Sequence, residues 1–326
     1  MDINKSTILL TGGTGSFGRA FTSHLLSKKT FKGIIRIFSR DEFKQYQMQL
    51  EYQDDPRIRF LIGDVRDALR LERAMKGVDT VIHAAALKQV PLLEYNPFEA
   101  VKTNILGSQN VIDCAIDQKA KKVILISSDK AVSPINLYGA TKMVAEKIFI
   151  QANSYSGGRE TIFSVARYGN VMGSRGSVVS VFLKQAINNS LTITDKRMTR
   201  FWITLEQGVQ FVLTCINQMM GGEIFVPKLP SIRITDLASA ISPQAKIKFT
   251  GIRQGEKVDE ILINAEEARR TLDLGKFFVI EPEFPWWGLN KKLKGRRLKE
   301  GTVYSSANNK QLTIAQLKKM VEKIDD

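Results

Sequence analysis

Cysteine and histidine are nearly missing from this chain. Cys114, Cys215, His24 and His83 are the full complement in 326 residues. Two thiols cannot build a disulfide framework, so a reducing cytoplasm is the expected compartment. With the two histidines in separate segments and no cysteine cluster beside them, no metal site is expected, and a Ser-His-Asp hydrolase would have to use one of just two imidazoles. Long apolar runs are absent as well. Nothing approaches about 18 consecutive apolar residues, and the N-terminus (MDINKSTILLTGG) has only a short apolar stretch, so neither membrane insertion nor a signal peptide is expected. Acidic residues are in deficit, 33 against 48 basic ones, for a net charge of +15. That charge is spread along the chain except for the run Lys291, Lys292, Lys294, Arg296, Arg297 and Lys299. The run has no interleaved aromatics, so a solvated tail segment is expected rather than a nucleic-acid groove, with an anionic partner or an oligomer contact as the alternative. A basic surface would also speed encounter with a doubly charged nucleotide diphosphate.

What is present begins with glycine. Thr7–Thr11 (TILLT) is followed by Gly12-Gly13-Thr14-Gly15-Ser16-Phe17-Gly18 and then by a helical pattern through Leu26. Strand, glycine turn and helix in this order are the context of a dinucleotide fingerprint. Gly12, Gly15 and Gly18 permit a tight turn, close approach of a pyrophosphate and helix–strand packing, while the helix N-terminus offers N–H groups to the anion. A second apolar run, residues 34–38, ends in Ser39-Arg40-Asp41. A hydroxyl and a guanidinium at that tip suit a ribose 2′-phosphate and favour NADP over NAD, whereas Asp41 just beyond would suit a free 2′-hydroxyl. Residues 59–62 lead into Gly63-Asp64-Val65, where a carboxylate can meet the adenine amine. Thr80–His83 opens into Ala84-Ala85-Ala86, small side chains against which a cofactor can lie. Asn104 falls in a predicted helix, where it bridges backbone groups or faces solvent. Residues 122–126 deliver residues 127–130 to the C-terminal edge of the sheet, the edge at which open α/β sheets bind ligands. The alternation predicts an α/β fold with a doubly wound parallel sheet. Residues 1–168 form the dinucleotide-binding domain, and residues 169–326 form mainly a smaller substrate-binding lobe, part of which returns to the first domain.

Residues 127–142 read SSDKAVSPINLYGATK. Tyr138 and Lys142, four apart, share one face of a helix, where an ammonium favours a phenolate and makes the tyrosine a usable base. Asp129-Lys130 upstream would be a surface ion pair in many chains, but a strand end facing a cofactor makes it a candidate acid–base couple. The two roles ask for opposite shifts. Lys130 needs a lowered pKa to act as a base, and Asp129 needs to hold a proton to act as an acid. Neighbours this close titrate as one coupled system.

TGGTGSFG, GDVRD, HAAALK, NxxG (Asn104 to Gly107) and YGATK together resemble the extended short-chain dehydrogenase/reductase superfamily. SRDE (39–42), KQVPLLEYNP (88–97), RYGNVMGSRGSV (167–178), RMTRFWI (197–203), GGEIFVPK (221–228) and GIRQGEK (251–257) make the chain similar, in particular, to the inverting, 5-epimerising UDP-N-acetylglucosamine 4,6-dehydratases. These open pseudaminic acid synthesis for surface polysaccharide and flagellin glycans. The similarity runs to about residue 260 and weakens beyond about 265; Gln89 stands where His is expected, and Ser128 where Thr is common.

The resemblance implies a residue set. NADP would be held by Gly12, Thr14, Gly15, Ser16, Phe17, Gly18, Ser39, Arg40, Lys44, Asp64, Val65, Ala84, Ala86, Lys88 and Thr103 together with Tyr138 and Lys142. The substrate, UDP-N-acetylglucosamine, would meet Lys88, Arg167, Asn170, Val171, Ser174, Arg175, Gly176, Ser177, Arg200, Arg253 and Glu256. Arg253 would take the diphosphate and Glu256 the uridine ribose. Ser128, Asp129, Lys130, Tyr138 and Lys142 would carry the chemistry. Oxidation at carbon 4 acidifies the carbon-5 proton, water leaves from carbons 5 and 6, and hydride returns to carbon 6. A homo-oligomer, dimer or larger ring, is implied through helices near residues 96–115 and 138–153. Rival readings are a retaining 4,6-dehydratase, a 4-epimerase, which needs only the Ser/Tyr/Lys set, and a non-catalytic NADP-sensing protein.

Overall fold

Apolar runs without polar alternation suit parallel strands covered on both faces, and the first half of the chain builds just such a sheet. The computed structural model describes residues 2–53, 55–156, 160–173, 177–284, 286 and 293–322. In chain order it contains β1 (Thr7–Thr11), α1 (Ser16–Leu26), β2 (Ile34–Ser39), α2 (Glu42–Tyr52), β3 (Ile58–Ile62), α3 (Ala68–Met75), β4 (Thr80–His83), α4 (Val90–Tyr95), α5 (Pro97–Ala100), α6 (Gly107–Asp117), β5 (Lys122–Ser128), α7 (Leu137–Gln151) and β6 (Ile162–Tyr168). Then come β7 (Asn170–Val171), α8 (Val178–Ala186), β8 (Ser190–Ile193), β9 (Thr199–Ile203), α9 (Leu205–Gln218), β10 (Ile224–Pro227), β11 (Ser231–Arg233), α10 (Ile234–Ile241), β12 (Lys246–Phe249), β13 (Ile261–Ile263), α11 (Ala265–Ala268), β14 (Thr271–Asp273), β15 (Phe277–Ile280), β16 (Arg296–Arg297), β17 (Tyr304–Ser305) and α12 (Ile314–Glu322).

Seven strands run parallel in the order β3-β2-β1-β4-β5-β6-β10, and β15, β14 and β16 extend the sheet antiparallel beyond β10. The order reverses between β1 and β4, and that switch point opens a crevice at the carboxyl ends of the strands. The sheet's core holds Ile8, Leu9 and Leu10 of β1, Val81 and Ile82 of β4, Val123 and Ile124 of β5, and Phe163 of β6, all fully buried. A second apolar cluster, with Val179, Phe182, Leu191, Trp202, Ile232 and Leu237, underlies the smaller lobe. The lobe is discontinuous. Between its pieces, α9 packs against α1, and β10, β14, β15 and β16 join the main sheet.

The described residues beyond 265 are built into the fold. β14 and β15 widen the sheet, β17 pairs with β13, and α12 packs on α10. The basic run departs from a plain solvated tail. Arg296 and Arg297 form the edge strand β16, and Arg297 donates to Glu281 at 2.6 Å and to the Arg269 carbonyl at 2.8 Å, while Lys291 and Lys292 lie outside the described residues. Trp286 stacks on Phe284 with ring centroids 4.7 Å apart.

Candidate active site

β5 ends at the carboxyl edge with Ser128 and passes directly into a tight 3-10 turn, Asp129–Ala131, whose first amide is capped by the Ser128 hydroxyl, with Lys130 N donating at 3.2 Å. α7 then starts under an Asn136 cap, the carboxamide oxygen accepting from Gly139 N at 2.8 Å. Glycine is needed at 139. A Cβ there would lie 2.3 Å from the Lys130 carbonyl oxygen, so the start of α7 can press directly on the turn that carries Asp129 and Lys130.

Ser128 Oγ donates to Asp129 Oδ1 at 2.8 Å, and Lys130 Nζ donates to the same oxygen at 3.1 Å. The ammonium is also 2.8 Å from Oε1 of Glu260, a fully buried residue at the start of β13. Burial works to lower the Lys130 pKa, but Asp129 and then Glu260 outweigh it and hold it above the usual lysine value. This corrects the expectation of a lysine poised to lose its proton, because two carboxylates, not one, surround it. Glu260 itself is pushed up, chiefly by burial.

Tyr138 is half-buried on the same cavity, and burial pushes its phenol up to about 12, against the opposing pull of Lys130 and a hydrogen bond with Ser128. Lys142, one turn further along, is buried against the sheet, donates to the Ile126 carbonyl at 2.6 Å and is drawn by desolvation down to about 8. The cation set against the phenol is therefore Lys130, with Lys142 deeper.

A cavity of about 610 Å³ runs from the glycine loop across the switch point to these groups. Thr14 to Gly18, Ser39, Arg40, Lys44, Asp64, Val65, Ala84, Ala86, Lys88, Thr103, Asn170 and Val171 line it along with residues 127–130, Tyr138 and Lys142. The walls fit a dinucleotide. Gly12 has φ +67°, and a Cβ on it would meet Ala85 N at 2.8 Å. The α1 N-terminus is capped by Gly15 with no side-chain bond of its own. Thr103 Oγ1 and Ser127 Oγ are buried without a hydrogen-bond partner among the described residues, which leaves them for a bound group. Asp41 is committed elsewhere, its side chain capping α2 at Lys44 N and pairing with the Lys44 ammonium. Arg40 stays half-exposed at the β2 tip, 3.4 Å from Asp64. Asn104 takes the bridging role. Buried in a π-helical turn, Val101–Leu106, it accepts from Leu87 N at 2.8 Å and donates to Leu87 O at 2.9 Å.

Two arginines expected on the substrate lie elsewhere. Arg167 is buried off the cavity, clamped bidentately by Glu146 of α7 (2.6 and 3.0 Å) and by Glu267 (2.9 and 3.0 Å). Arg200 donates to the carbonyls of Thr199, Lys257 and Val258 and sits 3.6 Å from Glu260 Oε1, so its charge braces that carboxylate. Both corrections have one cause: a guanidinium inside a dry core takes the nearest carboxylates and carbonyls, and here the protein supplies them. Arg253 is exposed on the loop 251–257, with Glu256 Oε2 accepting from its amide at 3.3 Å. That loop is tied to the segment 127–142 by Asn136 Nδ2 donating to Gly255 O at 2.8 Å and Lys257 Nζ donating to Val132 O at 2.6 Å. Ser177 occupies the N-cap position of α8 without a side-chain capping bond, and Ser174, Arg175 and Gly176 lie outside the described residues. Glu260 and its support Ser306, whose hydroxyl accepts from Glu260 N at 2.9 Å, escaped the sequence reading, since an acid before a short apolar run reads as surface.

Comparison with known proteins agrees with this geometry. A family profile described as polysaccharide biosynthesis protein matches residues 8–282. The chain belongs to this family. Among curated relatives, a UDP-N-acetylglucosamine 4,6-dehydratase (inverting) of Campylobacter jejuni is 50% identical over 315 residues, 94% of each chain, so the similarity extends past residue 265. A UDP-glucose 4-epimerase of Rickettsia bellii is 43% identical and covers 98% of this chain and 96% of its own. Of solved structures, Pen from Bacillus thuringiensis superposes with a TM-score of 0.91 at 38% identity, over 99% of this chain and 98% of that one.

Proposed function

We propose that the protein is an NADP-dependent UDP-N-acetylglucosamine 4,6-dehydratase that inverts carbon 5. The observation that carries this reading is the Asp129–Lys130 couple on the cavity wall beside Ser128 and Tyr138. Alcohol oxidation needs only the latter pair, whereas elimination of water needs an additional base and acid. The 50% identical Campylobacter jejuni dehydratase supports the substrate and the stereochemistry.

The glycine loop from Gly12 to Gly18 with Ser39, Arg40 and Asp64 would hold NADP, whose nicotinamide would supply reversible hydride transfer beside Tyr138. Tyr138 would take the carbon-4 hydroxyl proton, with Lys130 and Ser128 easing the phenol's raised pKa. Ser128 would hold the same oxygen. Lys130 would remove the carbon-5 proton, made acidic by the carbon-4 ketone, and Asp129 would protonate the departing carbon-6 hydroxyl. NADP rather than NAD is supported by Ser39 and Arg40 at the β2 tip and by the commitment of Asp41 to the α2 cap. Arg253 and Glu256, on the loop tied to the catalytic segment, are proposed for the diphosphate and ribose, and a cytoplasmic homo-oligomer is the proposed working form.

The Rickettsia name favours one other reading, a 4-epimerase. NMR of the purified protein with UDP-N-acetylglucosamine in deuterium oxide separates them. A 4-keto-6-deoxy product with deuterium at carbon 5 and L-arabino geometry is expected. Retained D-geometry would make it a retaining dehydratase, and a 4-epimer without loss of water would sink the dehydratase reading. Lys130→Ala should abolish elimination while NADP stays bound.

A further inference from the structure

Glu260 has no part in the roles above. It lies off the cavity lining, fully buried, yet its Oε1 is 2.8 Å from Lys130 Nζ, closer than Asp129 Oδ1 at 3.1 Å. Neither of its oxygens has a hydrogen-bond partner among the described residues, the contact with Lys130 being an ion pair. The charged groups facing it are Lys130 and Asp129 from the turn after β5, Arg200 from β9, and Lys257 from the preceding loop. Its backbone is fixed from the far end of the chain, with Ser306 Oγ accepting from Glu260 N at 2.9 Å and Ser306 N donating to Glu260 O at 2.8 Å. A dry carboxylate without hydrogen bonds to its oxygens is costly as an anion and more favourable as an acid.

Lys130 can remove the carbon-5 proton only as a free amine, and the two carboxylates around it hold it as an ammonium. We propose that Glu260 is a positioning residue that stores the Lys130 proton during elimination. The transfer breaks an Nζ–H bond and forms an O–H bond on Glu260, so an ammonium–carboxylate pair becomes an amine and a carboxylic acid with no change in net charge and no proton sent to solvent. The amine then takes the carbon-5 proton and is again an ammonium. The electron pair of the broken C–H bond stays on carbon 5 in conjugation with the carbon-4 carbonyl. The proton that the lysine has taken from carbon 5 then passes through Asp129 Oδ1, 3.1 Å away, to the carbon-6 oxygen, which leaves as water, and Glu260 returns the stored proton to the lysine. This inference rests on the reading of Lys130 as the carbon-5 base.

The test uses the cofactor-loaded full chain and follows kcat, KM and carbon-5 deuterium incorporation from about pH 6 to 9 in the wild type, Glu260→Gln, Glu260→Asp and Lys130→Ala. In Glu260→Gln the lysine proton has to leave for solvent. Its kcat should drop about 100-fold near neutrality and recover as pH rises, with KM unchanged, while the wild type stays flat over that range. Glu260→Asp, which keeps an acceptor one methylene shorter, should retain the flat profile at reduced kcat. A Glu260→Gln enzyme slowed by the same factor at every pH would mean the residue merely supports the fold and would overturn the proposal, as would wild-type kcat. Should Lys130→Ala still incorporate deuterium, the reading of Lys130 fails and the Glu260 role falls with it. An inert Lys130→Ala beside an unaffected Glu260→Gln overturns the Glu260 role alone.

Discussion

Replacing Arg167 by Met should unfold the protein more easily without touching substrate affinity. The Arg167, Glu146 and Glu267 side chains are 2%, 4% and 12% exposed, and Arg167 makes four hydrogen bonds of 2.6 to 3.0 Å to the two carboxylates. A fifth bond goes to the Leu262 carbonyl at 2.9 Å. Loss of the cation that both carboxylates clamp, with Lys142 near Glu146 and Arg270 near Glu267 remaining, costs about 3–5 kcal/mol. Unfolding entropy near 2.1 cal/mol/K per residue amounts to about 0.7 kcal/mol/K for 326 residues, so the melting temperature should fall by about 4–7 °C. The sign of the pH dependence is a sharper test. In the wild type, burial raises the Glu267 pKa but Arg167 outweighs it and holds it below the usual range, so this stabilisation is present above the unfolded pKa and is lost as pH falls through the folded one. In Arg167→Met, burial without the guanidinium should hold Glu267 above its unfolded value, so its penalty is absent at low pH and grows as pH rises. Denaturant unfolding at about pH 7 and pH 4.5 should show the gap between the two proteins narrowing on acidification. Replacing all three residues by apolar ones should recover much of the loss. A variant that melts like the wild type but binds nucleotide sugar poorly would put Arg167 on the substrate and refute this account.

Lys142, drawn down to about 8 by burial, is disfavoured as an ammonium in the fold, while the unfolded chain holds that proton to a higher pH. Stability should therefore gain on the order of 3 kcal/mol between about pH 8 and 10.5, and urea unfolding of Lys142→Met should lack that gain. Gly12→Ala forces a Cβ to within 2.8 Å of Ala85 N at φ +67°. It should be isolated without cofactor, and calorimetric affinity for NADP equal to the wild type would contradict the fit of the glycine loop. Arg40→Ala should weaken NADP about 10-fold or more by loss of a charge-assisted contact while leaving NAD binding little changed. Equal losses for both dinucleotides would remove Arg40 from the 2′-phosphate.

The legible parts of this molecule were those whose partners lie close in sequence. TGGTGSFG contains its strand end, turn and helix start within one stretch, and residues 127–142 carry Ser128, Asp129, Lys130, Tyr138 and Lys142 on three successive elements. The misread residues have distant partners. Arg167 sits in a motif that looks like a phosphate clamp, but the acids that hold it are 21 and 100 positions away. The sequence asks for a lowered Lys130 pKa and offers burial as its cause, but Asp129 and then Glu260, which the fold brings up from 130 positions away, outweigh burial. Asn104 was ambiguous for the opposite reason, since a helix interior does not reveal that a π-turn will aim one carboxamide at both backbone groups of Leu87.

Because β17 and Ser306 hold the backbone of Glu260 from the far end of the chain, the order of synthesis and the order of competence diverge. The glycine loop and the parallel strands that form the dinucleotide crevice emerge from the ribosome early, whereas the brace beneath Lys130 arrives only after residue 306. At about 5–20 residues per second, a nascent chain spends many seconds able to assemble a nucleotide pocket but unable to fix its proton-handling lysine. If Glu260 has the proposed role, turnover waits on the closing segment, and a chain cut short between α11 and β17 should hold cofactor without using it.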